Sequence, residues 1–325
     1  MIKYSDILQR SNVFKRIYAD IKSNTLGHCY LITSADKVSV NDLFDLIACA
    51  VYCKNGLCLH CEDCERVING NNVDVKHTFP QSGKNILVKD VEEIIDDVYK
   101  IAYDGREKLY FIHSAEKMNA ESQNKLLKIL EEPPKGVHFF ISTAIDGAIL
   151  NTVKSRSRQL NVDNFSAKDI EEALSSIYVA SDRAKISLAA TCSDGSLERA
   201  EQLLDDTDFF EHYRDVVEMY LSVHKSADVI KYSKSFLFTK DQISETLNIS
   251  DLIFRRVMLN SRFDEGVFSQ EVQTLAKSFT SIAVANIIDK INDARKRFDA
   301  NCNPNAIGEN LLYTILEVKF KCQKL

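Results

Sequence analysis

Cys53, Cys58, Cys61 and Cys64 stand within twelve residues, CKNGLCLHCEDC. The spacing C-x4-C-x2-C-x2-C brings four thiolates within reach of one Zn²⁺ in a tetrahedral shell. Their neighbours are Lys54, Asn55, Gly56, Glu62 and Asp63. A polar loop of that kind does not bury four unrelated thiols as core packing would. Four sulfur ligands fill the shell, so the expected zinc is structural and not catalytic. His60 is an alternative ligand, although a solvent-facing place suits it better. Cys29, Cys49, Cys192, Cys302 and Cys322 read as plain thiols.

A second place for chemistry lies between HCYLITS, residues 28–34, and an apolar helix expected from about Val40 to Tyr52. Strand, loop, helix is the setting of a phosphate-binding loop. Such a loop needs glycines so that amides can close on phosphate, a lysine for charge, and a hydroxyl for Mg²⁺. The corresponding places here are Ser34, Ser39, Val40 and Asn41. Both glycines are absent and valine stands at the lysine place. Lys37 is nearby but falls in the variable part of such a loop. Tight nucleotide binding is not expected; that the loop was never a phosphate site is the rival reading. A third place is the basic run Lys154, Arg156, Arg158, which on residue types alone is an ordinary charged surface.

The elements that must position these residues follow from periodicity. Ile7, Leu8, Phe14, Ile17 and Ile21 give one apolar face and predict a helix to about Ser23. Asp74–Pro80 reads as a weak strand. Ile86–Ala102 reads as a helix with Val91, Ile94, Ile95, Val98 and Ile101 on its stripe. Leu109–Ile112 and Gly136–Ala144 are continuous apolar runs, suited to strands buried on both faces. Between them Asn119 is an N-cap for a helix carrying Leu126, Leu127 and Leu130, which Pro133 and Pro134 end. Ser166 caps a new helical unit. From about Asp208 onward the chain reads almost wholly as helix.

The sequence has 325 residues, 45% of them hydrophobic, with four prolines, ten glycines and a net charge of −6. That length allows two or three domains. The acidic balance speaks against strong DNA binding by this chain alone. No apolar run approaches membrane-span length, and the first residues lack a signal-peptide core. A cytoplasmic protein without a disulfide framework is expected.

The wording of Ala115–Pro134, ending Leu-Glu-Glu-Pro-Pro, resembles the signature of the bacterial clamp-loader ATPase family of AAA+ proteins. A similar four-cysteine module stands at this point in that family, usually with a longer first gap. Ser155-Arg156-Ser157 resembles its Ser-Arg-Cys motif, and Arg295, Arg297, Asn301, Asn303, Leu311 and Leu312 resemble its C-terminal collar. The resemblance implies an α/β AAA+-type parallel sheet with an inserted zinc module over residues 1–164. A small helical lid (165–207) and an all-α collar (208–325) would follow. It also implies that the Mg²⁺ and water-positioning acids would stand at His113 and Ser114, where neither is an acid. A nucleotide-sensing lid arginine would stand at Glu198, one place before Arg199. Thr143 falls where such ATPases sense the γ-phosphate. Loss of these groups with the arginine kept is the pattern of the delta-prime type. That type implies no bound ATP and no ATPase in this subunit of a DNA polymerase holoenzyme. It implies Arg156, with Ser155, as a finger reaching a neighbour's ATP, and Arg158 as the alternative. The implied partners are gamma/tau and delta subunits, with the sliding clamp and primed DNA met through the complex. The rivals are an ATP-hydrolysing gamma/tau-type motor subunit and a zinc-dependent nucleic-acid-binding protein.

Overall fold

The computed structural model describes residues 2–81, 84–103, 106–258 and 269–323. The chain forms two compact units, one of residues 1–179 and 193–200, the other of residues 180–192 and 201–325.

The first unit is built on five parallel strands: β1 (Cys29–Thr33), β2 (Val75–Thr78), β3 (Lys108–Ile112), β4 (Val137–Thr143) and β5 (Arg158–Asn161), in the order β2-β3-β4-β1-β5. Every residue of β3 and β4 is buried, as their continuous apolar runs require. Helices α1 (Ser5–Arg10), α2 (Asn12–Lys22), α3 (Lys37–Tyr52), α4 (Glu62–Ile68), α5 (Val88–Val98), α6 (Ala120–Glu131), α7 (Asn151–Lys154) and α8 (Ala167–Ile177) belong to this unit. Strand alternation divides the core. Tyr30, Phe111 and Phe140 point to one face, where Phe44 of α3 packs on Phe111 and Phe140. Leu31, Tyr110, Ile112, Phe139 and Ile141 point to the other, against Val91 and Ile94 of α5 and Leu126 and Ile129 of α6. Helices thus cover both faces of the sheet, as a parallel sheet needs. Because all strands run one way, Ser34, His113 and Thr143 gather at one edge, where open α/β sheets bind ligands.

Three expectations are corrected. The first helix breaks at Ser11, whose hydroxyl donates to the Leu8 carbonyl (2.7 Å) and accepts from the Phe14 amide (3.2 Å), capping α2. α3 begins at Lys37 and not near Val40, because Asp36 caps it by accepting from the Ser39 amide at 2.9 Å. α5 ends at Val98, and Ile101 is 93% exposed instead of lying on its stripe. Two other expectations hold. Asn119 accepts from the Ser122 amide (2.7 Å) and Ser166 from the Asp169 amide (3.1 Å), each starting its helix.

The second unit is helical. It contains α9 (Arg183–Cys192), the end of α10 (Leu197–Asp205), α11 (Thr207–Ser222), α12 (Ser226–Ser233), α13 (Ile243–Met258), α14 (Ser269–Ala276), α15 (Ser281–Asp299) and α16 (Pro304–Gln323). Tyr213, Tyr220, Phe238, Phe254, Leu311 and Leu312 lie in its core. Buried Lys319 donates to the Tyr220 and Val223 carbonyls at the end of α11. The helical expectation after Asp208 also covers residues 259–268 and 324–325, which lie outside the described residues. No described helix is long and apolar enough to cross a membrane.

Candidate functional site

The sulfurs of Cys53, Cys58, Cys61 and Cys64 all lie within 4.8 Å of one another. Cys53 follows the last residue of α3, Cys61 is the N-cap of α4, and Cys64 is buried within α4. Between them Gly56, Leu57 and Leu59 take positive φ, which curls the loop back on itself. Four sulfurs about 2.3 Å from a tetrahedral centre stand about 3.8 Å apart. The Cys53–Cys58 and Cys53–Cys61 separations are 3.5 and 3.9 Å, so the donor set fits zinc. Burial resists ionisation of Cys53, but the amides of Cys58 and Asn55 outweigh it and bring the thiol down to about 6. Burial and the adjacent Cys61 push Cys64 up. A dication held among the sulfurs would favour their thiolate form. His60 is exposed, its Nδ1 lies 2.6 Å from the Cys58 carbonyl oxygen, and it stands outside the sulfur cluster.

The loop after β1 has its amides engaged by carboxylates of the same chain. Asp36 accepts from the Ser39 amide at the start of α3. Its other oxygen accepts from the Ser196 hydroxyl (3.1 Å) and from the amides of Leu197 (2.6 Å) and Glu198 (3.3 Å). One buried side chain therefore caps both α3 and α10. Glu198 reaches back and accepts from the Lys37 amide at 2.9 Å. Carboxylates stand where a phosphate-binding loop would present free N–H groups to a ligand. Sequence reading missed Asp36; an acid three places before Ser39 is the ordinary N-cap signal that could have found it.

Ser34, Val40, Asn41, His113, Ser114 and Thr143 line one cavity of about 240 Å³ at the sheet edge. The structure so brings together the candidate loop and the candidate acid positions. His113 is buried, stacks on Phe79 with ring centroids 4.0 Å apart, and hydrogen-bonds His77 (Nε2 to Nδ1, 3.0 Å). Burial holds His77 and His113 down, to about 4 and about 3. Both are therefore neutral near pH 7. Ser114 sits in left-handed backbone, φ 54°. Thr143 bonds locally: its hydroxyl donates to the Ile145 carbonyl and accepts from the Ile145 amide. Glu116, the nearest acid in the sequence, accepts from the Ala144 amide (3.1 Å).

Arg156 follows α7 and is not among the residues lining that cavity. Its Nη1 donates to the Thr152 carbonyl (2.9 Å) and to the Ser155 hydroxyl (3.3 Å). Its Nη2 pairs with Glu131 at 2.6 Å. Glu131 belongs to the Leu-Glu-Glu-Pro-Pro stretch, so two separately conspicuous motifs meet in one ion pair. Arg158, in β5, pairs with Asp20 (2.8 Å) and lies over the Tyr30 ring.

The chain thus joins a parallel α/β unit, with a four-cysteine loop and carboxylate-bound amides after its first strand, to a helical unit. Residues 9–166 match the family described as DNA polymerase III, delta subunit. The chain is 26% identical over 323 residues to the DNA polymerase III subunit delta' of Bacillus subtilis, covering 94% of this chain and 95% of that one. It is also 26% identical over 210 residues to the tau subunit of Escherichia coli, but spans only 32% of that protein and 62% of itself. A Thermotoga maritima gamma subunit-related protein of solved structure is similar with a TM-score of 0.40 and 15% identity, over 94% of this chain and 99% of that one. The chain is thus similar to DNA polymerase III subunits, over residues 9–166 in the family match and over nearly its whole length in the delta' relative.

Proposed function

We propose that this chain is a delta-prime-type subunit of a clamp loader, a member of the ring that hydrolyses no ATP itself. In this reading it assembles with gamma/tau and delta subunits in the cytoplasm, and the complex places the sliding clamp on primed DNA. Residues 1–164 act as an AAA+-type domain, 165–207 as its lid and 208–325 as an oligomerising collar. Cys53, Cys58, Cys61 and Cys64 hold a structural zinc. Arg156, oriented by Ser155, is the finger completing a neighbour's ATP site; a planar, permanently charged guanidinium suits the charge of a transferring phosphoryl group. Arg158, committed to Asp20 and Tyr30, is the weaker candidate.

The observation that carries this reading is the filled loop. Asp36 and Glu198 occupy the amides that a nucleotide phosphate would need, and both carry the wrong charge to welcome one. Val40, His113 and Ser114 supply neither the lysine nor the acids of an ATPase. The gamma/tau-type motor reading needs all of these.

The test is reconstitution with gamma/tau and delta subunits, the clamp and primed DNA. The isolated chain should show no heat of ATP binding. Arg156→Ala should leave assembly intact while hydrolysis at the adjoining site falls by about 10³-fold, the low end for an arginine finger. A mutant ring with normal ATPase contradicts the finger assignment; ATP turnover by the isolated chain contradicts the whole reading.

A further inference from the structure

One guanidinium ties together the two limbs of the four-cysteine loop. Arg106 lies just before β3, far in sequence from the cysteines. Its Nη1 donates to the Tyr52 carbonyl at 2.8 Å, one residue before Cys53. Nη1 and Nη2 also grip the Asp63 carboxylate at 3.4 and 3.0 Å, between Cys61 and Cys64. The same guanidinium lies over the Tyr52 ring, 4.8 Å from its centroid. The Tyr52 hydroxyl in turn donates to the Glu107 carbonyl. Asp63 and Arg106 are 21% and 30% exposed, so water screens their pair only partly.

We propose that Arg106 is the positioning residue of the metal centre, setting the distance between its two limbs before the metal arrives. The inference rests on the zinc reading above. Two polar contacts among the described residues also join or shape the limbs, beside the packing of α3 on α4. The Cys49 thiol meets the Cys64 carbonyl only at 3.9 Å, and the Cys58 amide to Cys53 Sγ bond is formed by the loop itself. A planar fork fixes the angle between its two sets of donors. Holding a carbonyl on one limb and a carboxylate on the other therefore fixes where Cys53 stands relative to Cys61 and Cys64. A preformed site leaves less chain to order on binding, so the metal binds more tightly. Partners outside the ligand set typically affect metal affinity about 10- to 100-fold. Lysine keeps the charge and three donors but lacks the planar fork that holds the two limbs at a fixed angle.

The experiment uses the whole chain as wild type, Arg106→Ala and Arg106→Lys. Zinc affinity is measured by competition with a chromophoric chelator, and Co²⁺ substitution reports the ligand set through its thiolate charge-transfer and tetrahedral d–d bands. Arg106→Ala should keep the tetrathiolate cobalt spectrum and bind zinc about 10- to 100-fold more weakly. Arg106→Lys should fall between. Melting of metal-free and metal-loaded protein gives an independent check, because by linkage the substitution must then destabilise the loaded form more. Equal loss in both forms with affinity within twofold of wild type means that Arg106 only supports the fold, and overturns the proposal. Should Arg106→Ala not fold, Arg106→Lys at wild-type affinity overturns it equally. A wild-type chain that takes up no stoichiometric metal instead removes the zinc reading, a failure visible before any variant is made.

Discussion

Asp36→Ala is expected to loosen the first unit far more than loss of one acid would suggest. The side chain is 8% exposed and accepts from three amides and a hydroxyl on two helices. Losing the α3 cap costs about 1 kcal/mol. At α10 the lost cap leaves the Leu197 amide buried without an acceptor, which costs about 1–3 kcal/mol. The sum is about 2–4 kcal/mol, or about 4–16 °C in the melting of a unit of this size. The two units need not unfold together, so a single global transition is the wrong readout. Hydrogen exchange should show faster exchange across residues 34–41 and 193–200, and urea unfolding should move the transition of the first unit only. Asp36→Asn, which keeps one acceptor oxygen in place, should lose about half as much. An alanine variant within 1 kcal/mol of wild type, with both segments still protected, refutes the double-cap argument.

Acid should destabilise the first unit through its histidines. Burial sets His77 at about 4 and His113 at about 3, both below the unfolded value of about 6.5. Their contribution is whole above that value and is lost as pH falls toward the folded values. Asp45, raised by burial to about 6, works in the opposite sense between about 4 and 6. Two histidines against one aspartate leave a net loss of about 1.4 kcal/mol per pH unit from pH 6 to 4. His113→Phe, which keeps the stack on Phe79, should flatten that limb, and an unchanged urea profile at pH 4.5 and 6 would contradict it. In the second unit, a Cβ at Gly308 would stand 2.4 Å from the fully buried ring of Phe238. Gly308→Ala should cost about 1–3 kcal/mol by overpacking, read from the urea transition of that unit; no change would mean that the helix can slide away from the ring.

The readable parts of this protein were those written locally. β3 and β4 follow from unbroken apolar runs, α6 from Asn119 and the two prolines, and the sulfur cluster from cysteine spacing. The early end of α5 was not readable, because its cause lies elsewhere in the chain. Buried Lys108 donates to the carbonyls of Asp97 and Lys100 and pairs with the Asp97 carboxylate, so β3 finishes a helix that periodicity would have run on to Ile101. The second role of Asp36 was hidden for the same reason: its partners stand 160 to 162 places on. Val40, His113 and Ser114 announced what the site lacks. Only the fold told what has taken its place.

The occupied loop also has a meaning in terms of competition. An anion arriving from solution must displace Asp36 and Glu198, which are part of the same molecule and never diffuse away. Even a short flexible tether gives a group an effective concentration in the millimolar range, and these carboxylates stand at the N-cap of α3 and in the first turn of α10, which already hold them in position. A rise in free nucleotide therefore works against an incumbent whose own concentration cannot be diluted. On the reading proposed above, the loop is insulated from the metabolite level that a phosphate-binding loop with free amides would track.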